Sequence, residues 1–287
     1  MEWARRNIRH QSKQEMRATI SIDMGGTNLR AGLIEDGKIV RLCKEPCKAN
    51  GSEEEILEQI YQMVEHLKFP EVERIGVAVP SVVDFEKGIV YDVQNVPSWK
   101  EVHLKELLEK RFGIPTTVDN DVNCFVNAEL RYGAAQGFSN VVGITLGTGV
   151  GAGIVANGNI FRGANTGAGE IGCMAYLDSI YEDYTSSQFF KKHKTTGEIE
   201  AKKAHIGDVK AIELWRQFGF HLGKLLQVIL FAYDPECIVI GGGIAQSSLW
   251  FEESMRKSLT EGFPYQHEIE RVKIVFSTLK DCNLLGA

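Results

Sequence analysis

Residues 117–130 read TVDNDVNCFVNAEL, and the five positions from Asp119 to Asn123 hold two carboxylates and two amides. A single Asp or Asn is enough to cap a helix by accepting the orphan amide hydrogens of its first turn. Four polar side chains exceed that need and leave part of the cluster for chemistry. Three glycine-rich segments supply a complement: Asp23-Met-Gly25-Gly26-Thr27, Gly147-Thr148-Gly149-Val-Gly151 and Gly241-Gly242-Gly243. Turns without side chains let backbone amides point at phosphate oxygens. Thr27 and Thr148 each add a hydroxyl donor. Asp23 suits a magnesium ion, directly or through water, because Mg²⁺ takes one or two carboxylates alongside substrate phosphates. These residue types together describe phosphoryl transfer, which asks a protein for positioning, charge stabilisation and a group to take the acceptor's proton. Asp121 is placed to be that base. Asn120, with a donor and an acceptor end, suits a sugar hydroxyl. Asp119 and Asn123 remain as cap and scaffold. Arg30 comes late on the second strand for a role in the site and reads equally as half of a structural ion pair.

The elements that position these residues repeat along the chain. Ala31-Gly-Leu-Ile-Glu-Asp-Gly-Lys-Ile39 matches Ala152-Gly-Ile-Val-Ala-Asn-Gly-Asn-Ile160 at an offset of 121, and ISIDMGG at 20–26 matches VGITLGT at 142–148. Each half therefore opens with a strand, a glycine turn, a second strand, a DG or NG hairpin turn and a third strand. In the first half, apolar residues at helical spacing over 52–67 follow Ser52, a candidate N-cap, then comes a buried strand at 75–80. A helix near 101–112 and a strand at 114–118 complete it. The second half offers a helix at about 208–232, a strand at 237–243, a helix near 249–260 and a strand at 272–277. The predicted fold is α/β, with two actin-like (ribonuclease H-like) domains of βββαβαβ type facing across a cleft. The divisions are 1–17 as an N-terminal extension, 18–119 as the first domain and 120–287 as the second. The polar cluster then ends the last strand of the first half, where ligands of α/β sheets bind. The repeat also calls for a helix after the last strand, so the chain is expected either to be cut short there or to end on a short element.

Bulk properties exclude other classes. A formal net charge of −6 argues against a nucleic-acid partner. No run approaches ~20 apolar residues, so no membrane span is expected. The six cysteines are scattered and complete no zinc pattern, which fits reduced thiols and a cytoplasmic protein. Residues 1–17 are polar and basic without an apolar core, unlike a secretory signal, and carry no assigned role.

The segments Asp23-Met-Gly-Gly-Thr-Asn28-Leu-Arg30, Asn120-Asp-Val-Asn123, Gly147-Thr-Gly-Val-Gly151 and Gly167-Ala-Gly-Glu-Ile-Gly172 together resemble the ROK family of repressors, open reading frames and sugar kinases. The resemblance runs from about residue 18 to the end. It implies a kinase that moves the γ-phosphate of Mg-ATP to a hexose, often to the 6-hydroxyl of glucose or a related sugar, and that forms a homodimer. It implies Asp121 as the base, and Asn120, Glu170 and Glu182 as sugar contacts. It places Ser81 near the sugar and sets the three glycine turns around phosphates and adenosine. On spacing alone Glu170 would read as a solvated loop charge.

The chain departs from its relatives where they carry a histidine that meets sugar and zinc, followed by a cysteine-rich zinc motif. Here the histidine position is Cys173 and the motif is Met174-Ala-Tyr176-Leu-Asp-Ser-Ile-Tyr181. A lone cysteine cannot build a four-ligand site, so zinc is expected to be absent. Met174, Tyr176 and Tyr181 would hold the loop by packing, with Cys173 as a buried small hydrophobe. Three alternatives follow. A repressor of the same family would carry an N-terminal winged-helix domain, for which only about 17 residues precede the first strand. A sugar or nucleotide sensor on the kinase fold would lack the chemistry. A kinase for fructose, allose or an N-acetylhexosamine would change only the acceptor.

Overall fold

The computed structural model describes residues 18–93 and 95–287, so the expected N-terminal extension lies outside the described residues. The first half opens with β1 (Ala18–Met24), β2 (Asn28–Glu35) and β3 (Lys38–Pro46) as an antiparallel meander. Asp36 and Gly37 both have positive φ, the backbone that a two-residue hairpin turn needs to match the strands' twist. Helix α1 (Glu53–Leu67) starts at Ser52 with a complete capping box: the Ser52 hydroxyl accepts from the Glu55 amide at 3.2 Å, and the Glu55 carboxylate accepts from the Ser52 amide at 2.8 Å. Then come β4 (Val72–Val79), a small three-stranded sheet of β5 (Val82–Asp84), β6 (Ile89–Tyr91) and β7 (Glu101–Val102), then α2 (Leu104–Phe112), β8 (Thr116–Asn120) and α3 (Asp121–Tyr132). The main sheet has the order β3-β2-β1-β4-β8, with β1, β4 and β8 parallel.

The second half repeats the plan with β9 (Val141–Leu146), β10 (Val150–Ala156) and β11 (Asn159–Phe161), and Asn157-Gly158 repeats the positive-φ turn. A long excursion follows: the hairpin β12 (Ala175–Tyr176) and β13 (Ser179–Ile180), then α4 (Glu182–Thr185), α5 (Ser187–Lys192) and α6 (Gly197–His205). The plan resumes with α7 (Val209–Tyr233), β14 (Cys237–Gly241), α8 (Ser248–Thr260), α9 (Gln266–Arg271), β15 (Lys273–Phe276) and α10 (Cys282–Gly286). The sheet order is β11-β10-β9-β14-β15, the same as in the first half. Helix α10 stands where the repeat calls for a helix after its last strand. The helix expected near 101 instead begins at Leu104, because Glu101 and Val102 pair with β6. The small sheet and the short helices of 182–205 add to the predicted elements; pieces of two to nine residues are too short to show a clear period. Among the described residues no helix is long and apolar enough to cross a membrane.

Each half has its own apolar core, one around Ile20, Ile22, Ile60 and Trp99, the other around Phe190, Trp215, Phe218 and Phe251. A third, smaller cluster joins α3 to the second sheet through Phe125, Val126, Val141 and Val239. Glycine makes this approach possible. Side chains at Gly143 and Gly153 would strike Val126, one at Gly151 would strike Val122, and one at Gly241 would strike the Phe125 ring. The second sheet thus presents a floor without Cβ atoms, and α3, which leaves the first sheet at Asn120, lies directly on it. That placement brings the N-terminus of α3 to the strand ends of both sheets.

Candidate active site

Strand β8 passes into α3 without a loop, so Asp119, Asn120 and Asp121 stand at a strand end and a helix start at once. The cap is Asn120, which corrects the assignment of that role to Asp119 and Asn123. Its Oδ1 accepts from the amides of Val122 at 2.9 Å and Asn123 at 3.4 Å, and its Nδ2 donates to the Ser81 carbonyl at 3.1 Å. One amide hydrogen of Asn120 is left for an acceptor, fewer contacts than a clamp using both ends would make. Asp119 holds scaffold on every side: Oδ1 accepts from the Asn120 amide at 2.8 Å and from Asn123 Nδ2 at 2.9 Å, and Oδ2 is paired with Arg162. The Ser81 hydroxyl donates to the Tyr91 carbonyl, so Ser81 braces Asn120 through its backbone and the small sheet through its side chain.

With Asn120 as cap and Asp119 as scaffold, Asp121 follows just inside the helix, its carboxylate facing the amides of Val122 and of its own residue. Its carboxyl is partly buried, and its pKa is pushed up to about 7. Burial is the first cause, the negative charge of Asp23 the second, and Glu170 adds to both. A carboxylate poised near neutrality is what proton abstraction at physiological pH requires. Asp121 lines a cavity of about 800 Å³ together with Arg30, Thr145, Gly241, Gly242 and Gln246. A second cavity of about 800 Å³ is lined by Gly147, Gly243, Ser187, Gln246 and Trp250. Gln246 borders both, and between them the two cavities are lined by the base and by glycines of the second half's two turns. Gly242 has φ of +89°, and a side chain there would run into the Leu146 backbone, so only glycine lets this turn form. Gly243 is open, as a phosphate contact needs to be, whereas the Cβ direction at Gly241 is already filled by Phe125.

The first glycine turn is arranged differently. The Gly25 amide donates to the Asn28 carbonyl at 2.9 Å, Cys47 donates to the Thr27 carbonyl at 2.9 Å, and a side chain at Gly26 would meet Asn95. Among the described residues none of Gly25, Gly26, Thr27 and Asn28 lines the two cavities. Asp23, at the start of this turn, is held from two sides. Arg30 pairs with its Oδ2, and Asn283 Nδ2 donates to its Oδ1 at 3.0 Å. Arg30 reaches Asp281 as well at 2.6 Å, which makes it an ion pair between the two halves. With both Asp23 oxygens already accepting, the site fits a magnesium ion held through water. Such an ion would be held by Asp23 and would supply charge neutralisation to phosphates.

Glu182 opens α4 and folds over the Gly147–Gly149 turn, accepting from the Val150 amide at 3.2 Å. Glu170 is exposed, and its charge reaches Asp121. Cys173 is exposed rather than a buried hydrophobe, and its Sγ lies 3.9 Å from the Glu170 carboxylate. Met174 is also exposed and does not hold the loop. Tyr176 and Tyr181 do: their rings stack at 4.2 Å, and the Tyr176 hydroxyl lies 3.1 Å from His221 Nδ1 on α7. Among the described residues no three His, Cys, Asp or Glu side chains gather as a metal cluster. The sequence reading missed Arg162, Asn283, Asp281 and His221. Each acts on a partner more than 40 positions away, and no short-range pattern announces that.

The sequence profile of the ROK family matches residues 19–287. The glucokinase of Thermotoga maritima is 28% identical across 93% of this chain and 95% of its own. The crystal structure of a ROK family glucokinase from Streptomyces griseus, in complex with glucose and AMPPNP, superposes with a TM-score of 0.79 at 25% identity, over 94% of this chain and 97% of that one. The fold is thus the mixed α/β fold of that structure. The xylose repressor of Bacillus subtilis is 26% identical over 65% of this chain and 52% of its own. Likeness at this level reaches both kinases and regulators, and the choice falls to the site.

Proposed function

This chain belongs to the ROK family, and on that premise we propose that it is an ATP-dependent hexose kinase. It transfers the γ-phosphoryl group of Mg-ATP to a sugar hydroxyl, with the 6-hydroxyl of glucose or a related hexose as the first candidate. The observation that carries the reading is Asp121: a carboxyl just inside the cap that Asn120 supplies, raised to about 7, and facing the cavity that Gly241 and Gly242 border. A sensor or repressor gains nothing from a carboxylate kept near neutrality by burial and a second charge, because that arrangement costs stability.

Asp121 accepts the acceptor hydroxyl's proton as the oxygen attacks phosphorus. Asn120, Glu170 and Glu182 orient the sugar. The glycine turns after β9 and β14 hold phosphates and nucleoside through backbone amides. Arg30 keeps the Asp23 carboxylate oriented beside Asp121, so the base is tuned by a fixed charge. The two halves act as actin-like domains, with a boundary at 119/120, that close on sugar and nucleotide and exclude water that would otherwise take the phosphoryl group. The glucokinase likenesses support glucose as the acceptor; Cys173, in place of the expected histidine, leaves Glu170 one partner fewer at the sugar.

The test is ADP release from Mg-ATP with a panel of glucose, mannose, fructose, allose, glucosamine and the N-acetylhexosamines. Sugar-dependent release is expected, fastest with one hexose. No release with any of them, from protein that binds nucleotide, would overturn the kinase reading in favour of a sensor.

A further inference from the structure

We propose that Arg162 is the positioning residue of the acceptor site, locking the strand end that carries Asn120 and Asp121 to the loop that carries Glu170. The inference rests on the reading of those three residues as the acceptor site.

Three distant segments meet at one guanidinium. Arg162 Nε and Nη2 donate to Asp119 Oδ2 at 3.1 and 2.6 Å, and the guanidinium lies 3.6 Å from the Phe85 ring centroid, between β5 and β6. The remaining oxygen of Asp119 accepts from the Asn120 amide and from Asn123 Nδ2, so the ion pair fixes the residues on both sides of Asp121. The same arginine starts the loop to Glu170. Its carbonyl accepts from the Ala168 amide at 3.3 Å, which closes 162–168 on itself. Gly169 then turns with φ of +96°, its carbonyl accepts from the Ala152 and Ile171 amides at 3.1 and 2.7 Å, and Glu170 follows. Both flanks of the acceptor site are therefore referenced to one residue, its side chain holding Asp119 and its backbone carbonyl closing the loop that leads to Glu170. The pair is partly shielded, with side-chain exposures of 24% for Arg162 and 12% for Asp119, so it is more than a solvated surface contact.

Its repeat partner shows that this use is specific. At the offset of 121 Arg162 corresponds to Arg41. Arg41 is exposed and donates to the His66 carbonyl at 3.0 Å, a tie to the end of α1 and to nothing in the site. Strand β3 continues to Pro46, whereas β11 stops at Phe161, so the second arginine leaves its sheet and is free to cross to β8.

The experiment uses the full chain with Arg162→Met and, from the other side of the pair, Asp119→Asn, which keeps the volume if the first variant folds poorly. Arg162→Lys is included because a lysine keeps the charge without the two-pronged geometry. Loss of a charge-assisted pair is expected to raise the acceptor KM about ten- to a hundredfold, with Mg-ATP affinity within about twofold of wild type. The double variant should be no worse than the worse single one. Hydrogen exchange at residues 119–123 and 163–171 should rise together in each variant. Faster exchange in only one segment, or an unchanged acceptor KM, would overturn the proposal. If the wild type phosphorylates no acceptor, the kinase reading falls separately, because the exchange measurement needs no substrate and still decides the coupling.

Discussion

The turns after β1 and after β9 occupy the same place in the repeat, yet they do opposite things. Asp23 in the first corresponds to Thr145 in the second. The first turn is a charged and closed structure: Asp23 is held by Arg30 and Asn283, and Gly26 is packed on Asn95. The second is uncharged and open: Gly147 faces a cavity, and the nearest carboxylate, Glu182, comes from another element. The same division runs through the halves. The first sheet ends in carboxylates and amides that suit an acceptor and its proton. The second ends in glycines, which leave open space at Gly147 and Gly243 and let α3 lie close to the sheet. The two halves share one sheet order, and the side chains at their matching strand ends differ.

Gly242→Ala strikes the open half hardest. The residue would hold a left-handed backbone and press on the Leu146 carbonyl, so a loss of roughly 3 kcal/mol or more is expected in a denaturant titration. A change below about 1 kcal/mol would mean that the turn has room it does not show. Asp23→Asn addresses the closed half. With the neighbouring charge gone, Asp121 ionises at lower pH, and the acidic limb of kcat/KM moves down from near 7. A limb that stays in place would separate the two carboxylates. Gly149→Ala is the mildest. Its Cβ meets only the mobile end of Glu182, so stability should hold, while the acceptor KM rises about threefold to tenfold as the carboxylate leaves the Val150 amide. An unchanged KM would remove Glu182 from the acceptor site.

Much of this organisation was legible in the sequence. The paired Gly-rich and DG/NG segments gave both meanders, and Ser52 announced its helix. The cluster at 119–123 was legible as a site but not in its division of labour. Any of the four polar residues can cap, and only the direct passage from β8 into α3 makes Asn120 the one in reach of the free amides. Cys173 and Met174 were read as packed because thiol and thioether side chains prefer interiors. Both are exposed just ahead of the β12–β13 hairpin, and it is Tyr176 that packs against His221, with Tyr181 stacked on it. Arg162 carried no local signal, since its meaning depends on where β11 ends and on a carboxylate 43 positions away.

The most direct test of the account is Asp121→Asn, compared with wild type for turnover and for stability against pH. Turnover should fall by at least ~10²-fold, the scale of a lost general base, while nucleotide binding is retained. Burial and the charges of Asp23 and Glu170 raise this pKa from 3.8 to about 7, so the folded chain holds a proton there that the unfolded chain releases across that window. Wild-type stability should therefore decline as pH rises through it, and the asparagine variant should lose that part of the decline and be the more stable of the two at pH 8. A variant that turns over at near wild-type rate, with the same stability profile, would show that Asp121 is neither the base nor the strained carboxyl on which the account depends.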